Sequence, residues 1–247
     1  MTLRYLAGGS VHDIRDHALV GQTTFYNAVE TVLSAINSIP QLDIKFPQTS
    51  FELEQAAAGF ARRSSKGAFL YCIGAVDGWL LKIIQPRSSD ILCGILPDYM
   101  NGHYQAYGMN VQATCDSFYR FTGVSILFGG ACSDYRAFSN SGLYKWISTN
   151  LKAPYHLVGD AAYCCEPFLL TPFTGSQKNI PENSAFNFYL SQLIRICIEQ
   201  SFGIMVNRWC ILRAPLKTKL NKSMQICQAI MKLHNYIITK KLERNEN

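Results

Sequence analysis

The first 38 residues alternate short segments of helical apolar spacing with glycine-containing breaks, which is typical of a small helical unit. The spacing predicts three helices, with the sequences LRYLA, VHDIRDHAL and QTTFYNAVETVLSAINSI. Thr23 and Thr24 open the third helix and are short polar residues that could face a groove or cap its first turn. The unit is therefore either a helix-turn-helix that binds DNA through Thr23 and Thr24, or an ordinary helical bundle.

Beyond two linker prolines, Pro40 and Pro47, a further helix is predicted in SFELEQAAAGFARRSS, and the apolar period changes from residue 67 onward. AFLYCIGAVDGWLLKII and YHLVGD have the composition of strands, and NVQATCDSFYRFTGVSILF is a pair of strands that turns at Asp116 to Tyr119. DYRAFSNSGLYKWISTN predicts a helix, as does the longer stretch from Asn183 to Arg208. The pattern predicts a mixed α/β fold in which helices cover a sheet.

We expect four parts along the chain. They are a helical, helix-turn-helix-like unit at 1–48, a connecting helix at 49–66, an α/β domain at 67–238 and a basic tail at 239–247.

Composition excludes several classes of protein. Hydrophobic residues make up 48% of the chain and charged residues 16%, which excludes whole-chain disorder, collagen and coiled coil. No apolar run approaches the ~18 residues of a membrane span, and the amino terminus lacks the apolar run of a secretory signal, so we expect a soluble protein that is not secreted. The nine cysteines include no CxxC pair and the five histidines no HExxH spacing, so neither a disulfide framework nor a zinc site is predicted.

The net charge of +6 is concentrated at the carboxyl end. Residues 200–247 hold 9 Lys and Arg against 2 Asp and Glu, whereas residues 1–63 hold 5 against 6 and residues 64–199 hold 9 against 9. A polyanion such as nucleic acid would meet this basic end, because lysine and arginine displace counterions from phosphates. The candidate contacts are Arg208, Lys217, Lys219 and Lys222. The alternative is a solvated basic tail.

Three acidic residues stand in positions that need an explanation. Asp77 interrupts an apolar strand, Asp160 ends another, and Glu199 lies on the long helix. Taken singly, Asp77 could turn a hairpin with the next glycine, Asp160 could cap a helix that begins at Ala161, and Glu199 could pair with Arg195 at the surface. Taken together, they could bind two divalent cations for phosphodiester chemistry, provided that the two Asp lie on neighbouring strands and Glu199 faces them from a helix.

Seven blocks of the sequence, in this order and at these distances, resemble the DDE endonucleases of the PIF/Harbinger transposases. The blocks are CIGAVDG at 72–78, YGMNVQATCD at 107–116, SDYRAFSNSGLY at 133–144, LVGDAAY at 157–163, LLTPF at 169–173, AFNFYLSQLIRICIEQSFGIMVNRWCIL at 185–212 and LHNYI at 233–237. The resemblance implies an RNase H-like fold and a catalytic, metal-binding triad of Asp77, Asp160 and Glu199. TLRYLAGGS and IKFP also resemble the family and favour the helix-turn-helix interpretation of the front unit.

The implied activity is that of a metal-dependent DNA endonuclease or transposase with two Mg²⁺ or Mn²⁺ ions, which cuts and joins transposon ends by in-line attack. Its implied partners are DNA, at terminal inverted repeats and a target site, and a Myb-like helper protein. A homo-oligomer is left open and no membrane contact is expected. The implied location is the nucleus, reached with the helper, and otherwise the cytoplasm. Because the chain begins almost at the first helix of the front unit, the sequence leaves open whether an amino-terminal segment is missing.

The chain departs from the family pattern at Trp79 and Leu80, where Thr-His is usual, and at Ser133, where His is usual. The alternative function is therefore a domesticated or inactive transposase-derived module that binds DNA or protein without catalysis. A third possibility is a general RNase H-like nuclease that cuts without joining strands.

Two neighbouring charged residues, Asp134 and Arg136, are predicted to lie next to the triad and to support it without being catalytic. Asp134 opens a helix, where an N-cap role would explain it. Arg136 and Arg208 could hold phosphates, pair with Asp134, or simply be exposed.

Overall fold

A computed structural model of the chain describes residues 1–64, 69–91 and 95–245, without the side chains of residues 193–196 and 245. The predicted boundary between residues 66 and 67 lies outside the described residues, as do the last two residues of the predicted basic tail.

The helices predicted at the front of the chain are present. They are α1 (Thr2–Leu6), α2 (Val11–Ala18), α3 (Gln22–Ser38) and α4 (Ser50–Arg63). Helix α3 buries Phe25, Val29 and Leu33 on one face, which is the stripe that the apolar spacing predicts. Helix α4 begins at a capping box, in which Thr49 and Glu52 satisfy each other's backbone amides.

Six strands form a mixed sheet. They are β1 (Cys72–Lys82), β2 (Met100–Asn101), β3 (Ala106–Cys115), β4 (Phe121–Gly129), β5 (His156–Val158) and β6 (Leu169–Leu170). Five of these strands lie in the order β4, β3, β1, β5, β6, and β2 pairs with one end of β3. The β1–β3 and β3–β4 pairs are antiparallel, whereas β5 is parallel to both β1 and β6. β1 is therefore central, with an antiparallel neighbour on one edge and a parallel neighbour on the other.

The helices after β4 differ from the prediction in detail. They are α5 (Asp134–Ser139), α6 (Gly142–Asn150), α7 (Pro181–Ile194), α8 (Gln200–Arg208) and α9 (Leu220–Asn245), with a π-helical turn, Arg195–Glu199, between α7 and α8. The single helix predicted over DYRAFSNSGLYKWISTN is wrong, because Ser141 caps a new helix by accepting a hydrogen bond from the Tyr144 amide. Residues 239–245 of the predicted tail are the end of α9.

Helices cover both faces of the sheet. On one face Ala75 and Leu81 of β1 pack with Ile198 and Phe202, and on the other Ile73 and Val76 pack with Phe138. This is the mixed sheet flanked by helices that the sequence predicts. Among the described helices, none is both long and apolar enough to cross a membrane.

The front helices pack against the carboxyl-terminal helix and share its core. Buried residues of α1 and α3 belong to the same cluster as Ile226 and Ile230 of α9. Polar contacts reinforce this packing, because the Lys232 ammonium donates to the Asn37 carbonyl and to Asp43 Oδ1, both at 2.7 Å. The proposed DNA-binding unit is therefore anchored to a helix that also contacts the sheet.

Candidate active site

Asp77 lies within a continuous strand. In the β1–β3 pairing Asp77 stands opposite Ala113 and Gly78 opposite Gln112, and the pairing continues to Lys82. The hairpin alternative for Asp77 is therefore wrong. The central position of β1 overrides the local preference of Asp-Gly for a turn, because a turn there would leave the strand's amides and carbonyls unpaired.

Asp160 lies two residues beyond the end of β5, the strand that is parallel to β1. β1 and β5 are parallel, with Ala75 opposite Val158. If the same register continued two residues beyond β5, Asp160 would reach the level of Asp77, and adjacent strands lie about 4.8 Å apart. The predicted helix at Ala161 is wrong, because residues 161–163 form a turn, although Asp160 Oδ1 does accept the Ala162 amide at 2.9 Å.

Glu199 approaches Asp77 from the helical layer. It is the last residue of the π-helical turn, and π turns inside helices are common at functional sites. Trp79, two residues beyond Asp77, stacks on Phe202, three residues beyond Glu199, with ring centroids 5.9 Å apart and planes at 23°. Residues two apart in a strand, or three apart in a helix, share one face, so Asp77 lies on the face of β1 that meets α8, and Glu199 lies on the facing side of the helix. Glu199 is exposed, and the side chain of Arg195, its predicted surface partner, lies outside the described residues.

The pKa values of the two aspartates show that the acidic groups share one electrostatic environment. Burial raises the pKa of Asp77 to about 7, with further repulsion from Asp160, Asp134 and Glu199, although the Gly78 amide, at 2.7 Å, opposes the shift. Burial also raises the pKa of Asp160, and the negative charge of Asp134 adds to this. The negative charges of Asp160, Asp134 and Glu199 thus all act on Asp77.

Asp134 is held by side chains of β3. The N-cap of α5 is Ser133, so the prediction that Asp134 caps this helix is wrong. Its Oδ1 atom accepts hydrogen bonds from Asn110 Nδ2 at 3.0 Å and from Gln112 Nε2 at 2.8 Å. A Cβ atom on residue 78 would overlap this carboxylate, so Gly78 leaves the space that Asp134 fills.

Sequence reasoning missed the buried polar residues that hold Asp134. Asn110 and Gln112 are 7% and 2% exposed, and the Tyr163 hydroxyl donates to Gln112 Oε1 at 2.7 Å. A signal was present in NVQATC, where polar residues 110, 112 and 114 alternate with apolar ones. Such alternation usually marks a solvated face, and only the packing of α5 on β3 buries it here.

The predicted nucleic-acid contacts lie in the front unit, on α8, in the loop before α9 and on α9 itself. Thr23 and Thr24 are exposed in the first turn of α3, and Lys217 and Lys219 are exposed in that loop. Lys219 Nζ is 3.9 Å from Asp90, a long and exposed ion pair. Lys222 is mostly buried and forms an ion pair with Glu30 of α3. The charges of Lys217 and Lys219 are thus more accessible to an external phosphate than that of Lys222.

The two arginines suggested as partners of Asp134 lie elsewhere. Arg136 is exposed and lines a surface cavity with Asp98 and Cys132. Arg208 is half-buried on α8, where its charge helps to lower the pKa of His234, behind the larger effect of burial. Among the described residues, neither arginine forms an ion pair with Asp134.

The carboxylate oxygens of the candidate site are of the chemical type that binds a hard divalent cation. Carboxylate oxygens are the ligands that Mg²⁺ and Mn²⁺ prefer, and the described contacts give Asp77, Asp134 and Asp160 no ion-pair partner. Within the described part of the chain, however, no three His, Cys, Asp or Glu side chains already lie close enough to hold one ion.

A mixed sheet whose central strand has an antiparallel and a parallel neighbour, flanked by helices, is consistent with an RNase H-like domain. The chain belongs to the DDE superfamily endonucleases, whose family model matches residues 76–235. It is also 26% identical over 149 residues to a protein of Arabidopsis thaliana named "Protein ALP1-like". That match covers 53% of this chain and 36% of the relative, so the chain spans about a third of the relative's length. No solved structure matches the chain.

The PIF/Harbinger-type family predicted from the sequence blocks is therefore confirmed, and so is the RNase H-like mixed α/β fold. The chain is a member of a transposase-derived nuclease family.

Proposed function

We propose that the chain is a metal-dependent DNA endonuclease in which Asp77, Asp160 and Glu199 are the catalytic carboxylates and would hold Mg²⁺ or Mn²⁺. The observation that supports this most strongly is that Asp77 lies in β1 and Asp160 follows the parallel neighbour β5, while the charges of Asp160 and Glu199 both raise the pKa of Asp77, behind the larger effect of burial. Burying acidic groups together costs free energy, and a bound cation would remove that cost.

The three proposed catalytic residues differ in how their side chains are held and in how exposed they are. Asp77 is the most constrained, because the strand fixes its backbone and the Gly78 amide binds its Oδ1. Asp160 is oriented by the Ala162 amide. Glu199 is exposed and would complete the site from the solvent side. A bound divalent metal would supply a nucleophilic water near neutral pH and stabilise the leaving oxygen of the phosphodiester.

The DNA would extend from the carboxylates to the basic loop before α9. Lys217 and Lys219 would contact phosphates, and Thr23 and Thr24 would contribute contacts from α3. Arg136 and Arg208 would hold phosphates nearer the sheet. As substrates we propose terminal inverted repeats and a target site, cut and joined in the nucleus with the help of a Myb-like protein.

A second candidate, a module that binds without catalysis, is favoured by one specific observation. Trp79 and Leu80 replace the polar pair that family members carry after the first Asp-Gly. Trp79 stacks on Phe202 beside the carboxylates, and Leu80 is 8% exposed. Apolar bulk thus replaces hydrogen-bonding groups next to Asp77, which would suit a chain that has kept the fold and lost the reaction.

A cleavage assay separates the two candidates. DNA that carries candidate terminal repeats is incubated with the full chain and Mg²⁺ or Mn²⁺, with the helper protein present. The endonuclease proposal expects cutting that Asp160→Asn abolishes and that Glu54→Gln, a change of an exposed carboxylate on α4, leaves intact. Binding without cutting would support the non-catalytic module, and cutting that survives Asp160→Asn would overturn the assigned site.

A further inference from the structure

A buried chain of hydrogen bonds runs from Tyr163 to Asp134. The Tyr163 hydroxyl donates to Gln112 Oε1 at 2.7 Å, and Gln112 Nε2 donates to Asn110 Oδ1 and to Asp134 Oδ1, both at 2.8 Å. Asn110 Nδ2 donates to Asp134 Oδ1 and to the Cys132 carbonyl, both at 3.0 Å. The chain connects the turn after β5 with the start of α5 through two side chains of β3.

Both amide side chains in this network use all of their N–H donors. Asn110 Nδ2 and Gln112 Nε2 each donate two hydrogen bonds. Asn110 Oδ1 accepts one from Gln112, and Gln112 Oε1 accepts one from Tyr163. The Tyr163 hydroxyl therefore selects the orientation of Gln112, since it is the donor that the Gln112 oxygen accepts from. Without that hydroxyl, the Gln112 amide could rotate and turn its oxygen toward the Asp134 carboxylate, which would repel it.

The network also explains why the backbone beside Asp77 is a glycine. Asp134 lies directly against Gly78, where a Cβ atom would overlap it, so no side chain separates this carboxylate from β1. Its charge acts on both Asp77 and Asp160, the residues on the two parallel strands. Two amide donors hold Asp134 in place, and the described contacts give it no cation. A fixed negative charge at this position would strengthen the attraction of the site for a cation.

We propose that Tyr163, Gln112 and Asn110 are positioning residues, which hold the Asp134 carboxylate against Gly78 of β1, next to Asp77, and thereby set the affinity of the site for a divalent cation. This inference rests on the proposed function, because it concerns the same metal site. Groups that orient a metal site from outside the ligands typically change metal affinity 10–100-fold when they are removed.

The test is a titration of the full chain with Mn²⁺, followed by electron paramagnetic resonance of the free ion. Tyr163→Phe removes a single hydroxyl, and we expect Mn²⁺ to bind about 10-fold more weakly. Tyr144→Phe is the matched control, because its hydroxyl donates to Glu166 Oε1 at 3.3 Å and lies outside the network. We expect that variant to bind Mn²⁺ as the unmodified chain does, and circular dichroism establishes that both variants are folded.

A double-mutant cycle with Asp134→Asn shows whether Tyr163 acts through Asp134. Asp134→Asn keeps the size of the side chain and removes its charge, so we expect a similar loss of affinity. Tyr163→Phe in the Asp134→Asn background should then cause little further loss. Equal Mn²⁺ affinities for the unmodified chain and Tyr163→Phe, or losses that add fully in the double variant, would overturn the inference while leaving the metal site standing. An unmodified chain that binds no Mn²⁺ would overturn both the inference and the proposed function.

Discussion

Replacing Asp77 by asparagine should stabilise the metal-free protein at alkaline pH. The pKa of Asp77 is raised from 3.8 to about 7, first by burial and then by the neighbouring carboxylates. Between these two values the folded chain holds a proton that the unfolded chain releases, so the stability of the fold falls as the pH rises from about 4 to about 7. Above about pH 7 the whole penalty is present, and below about pH 4 it is absent. Asparagine never carries the charge and can still accept the Gly78 amide.

The size of the effect follows from the shift in pKa. A shift of about three units, at about 1.4 kcal/mol per unit, sets an upper limit of about 4 kcal/mol. Because Asp77 is not fully buried, solvent screening reduces this figure, and we expect about 2 kcal/mol at pH 8. For a chain of this length that corresponds to a rise in Tm of about 4–8 °C.

The measurement is thermal unfolding followed by circular dichroism in the presence of a chelator, at pH 8 and near pH 4. The expected gain appears at pH 8 and vanishes near pH 4, and Glu54→Gln, the exposed control on α4, shows no gain at either pH. A gain of equal size at both pH values would refute the reasoning, because asparagine would then be stabilising through packing and not by removing a repelled charge. An unchanged Tm at pH 8 would show that Asp77 is not strained by its neighbours.

Three further predictions concern the basic end and the packing of α9. Replacing Lys217 and Lys219 together by alanine should reduce the slope of log affinity for duplex DNA against log salt by about 1.8, measured by fluorescence anisotropy, and an unchanged slope would mean that these lysines contact no phosphate. Asn235→Ala should cost about 2 kcal/mol of unfolding free energy in urea, because Asn235 pairs with both the amide and the carbonyl of Phe121, each at 2.7 Å. Lys232→Met should cost about as much and speed amide hydrogen exchange in α3, whereas unaltered exchange would show that the ammonium does not hold α3 against α9.

Local sequence rules were enough to predict the elements whose residues contact their near neighbours in the chain. The glycine-containing breaks delimit α1, α2 and α3, and the turn between β3 and β4 lies at residues 116–120, as the polar run predicts. The blocks that resemble the family sufficed to predict the RNase H-like fold, because those blocks contain the strands, turns and helices that build it.

Features that depend on packing between distant segments were decided only by the tertiary structure. Asp-Gly continues a strand at Asp77 because β3 and β5 pair with both edges of β1. Asp134 binds β3 and does not cap its helix because two buried amides and the space above Gly78 lie opposite it. Local preferences are worth about 1 kcal/mol each, whereas burial and sheet pairing act on many groups at once. Residues far apart in the chain therefore determined which local preference was realised around the four carboxylates.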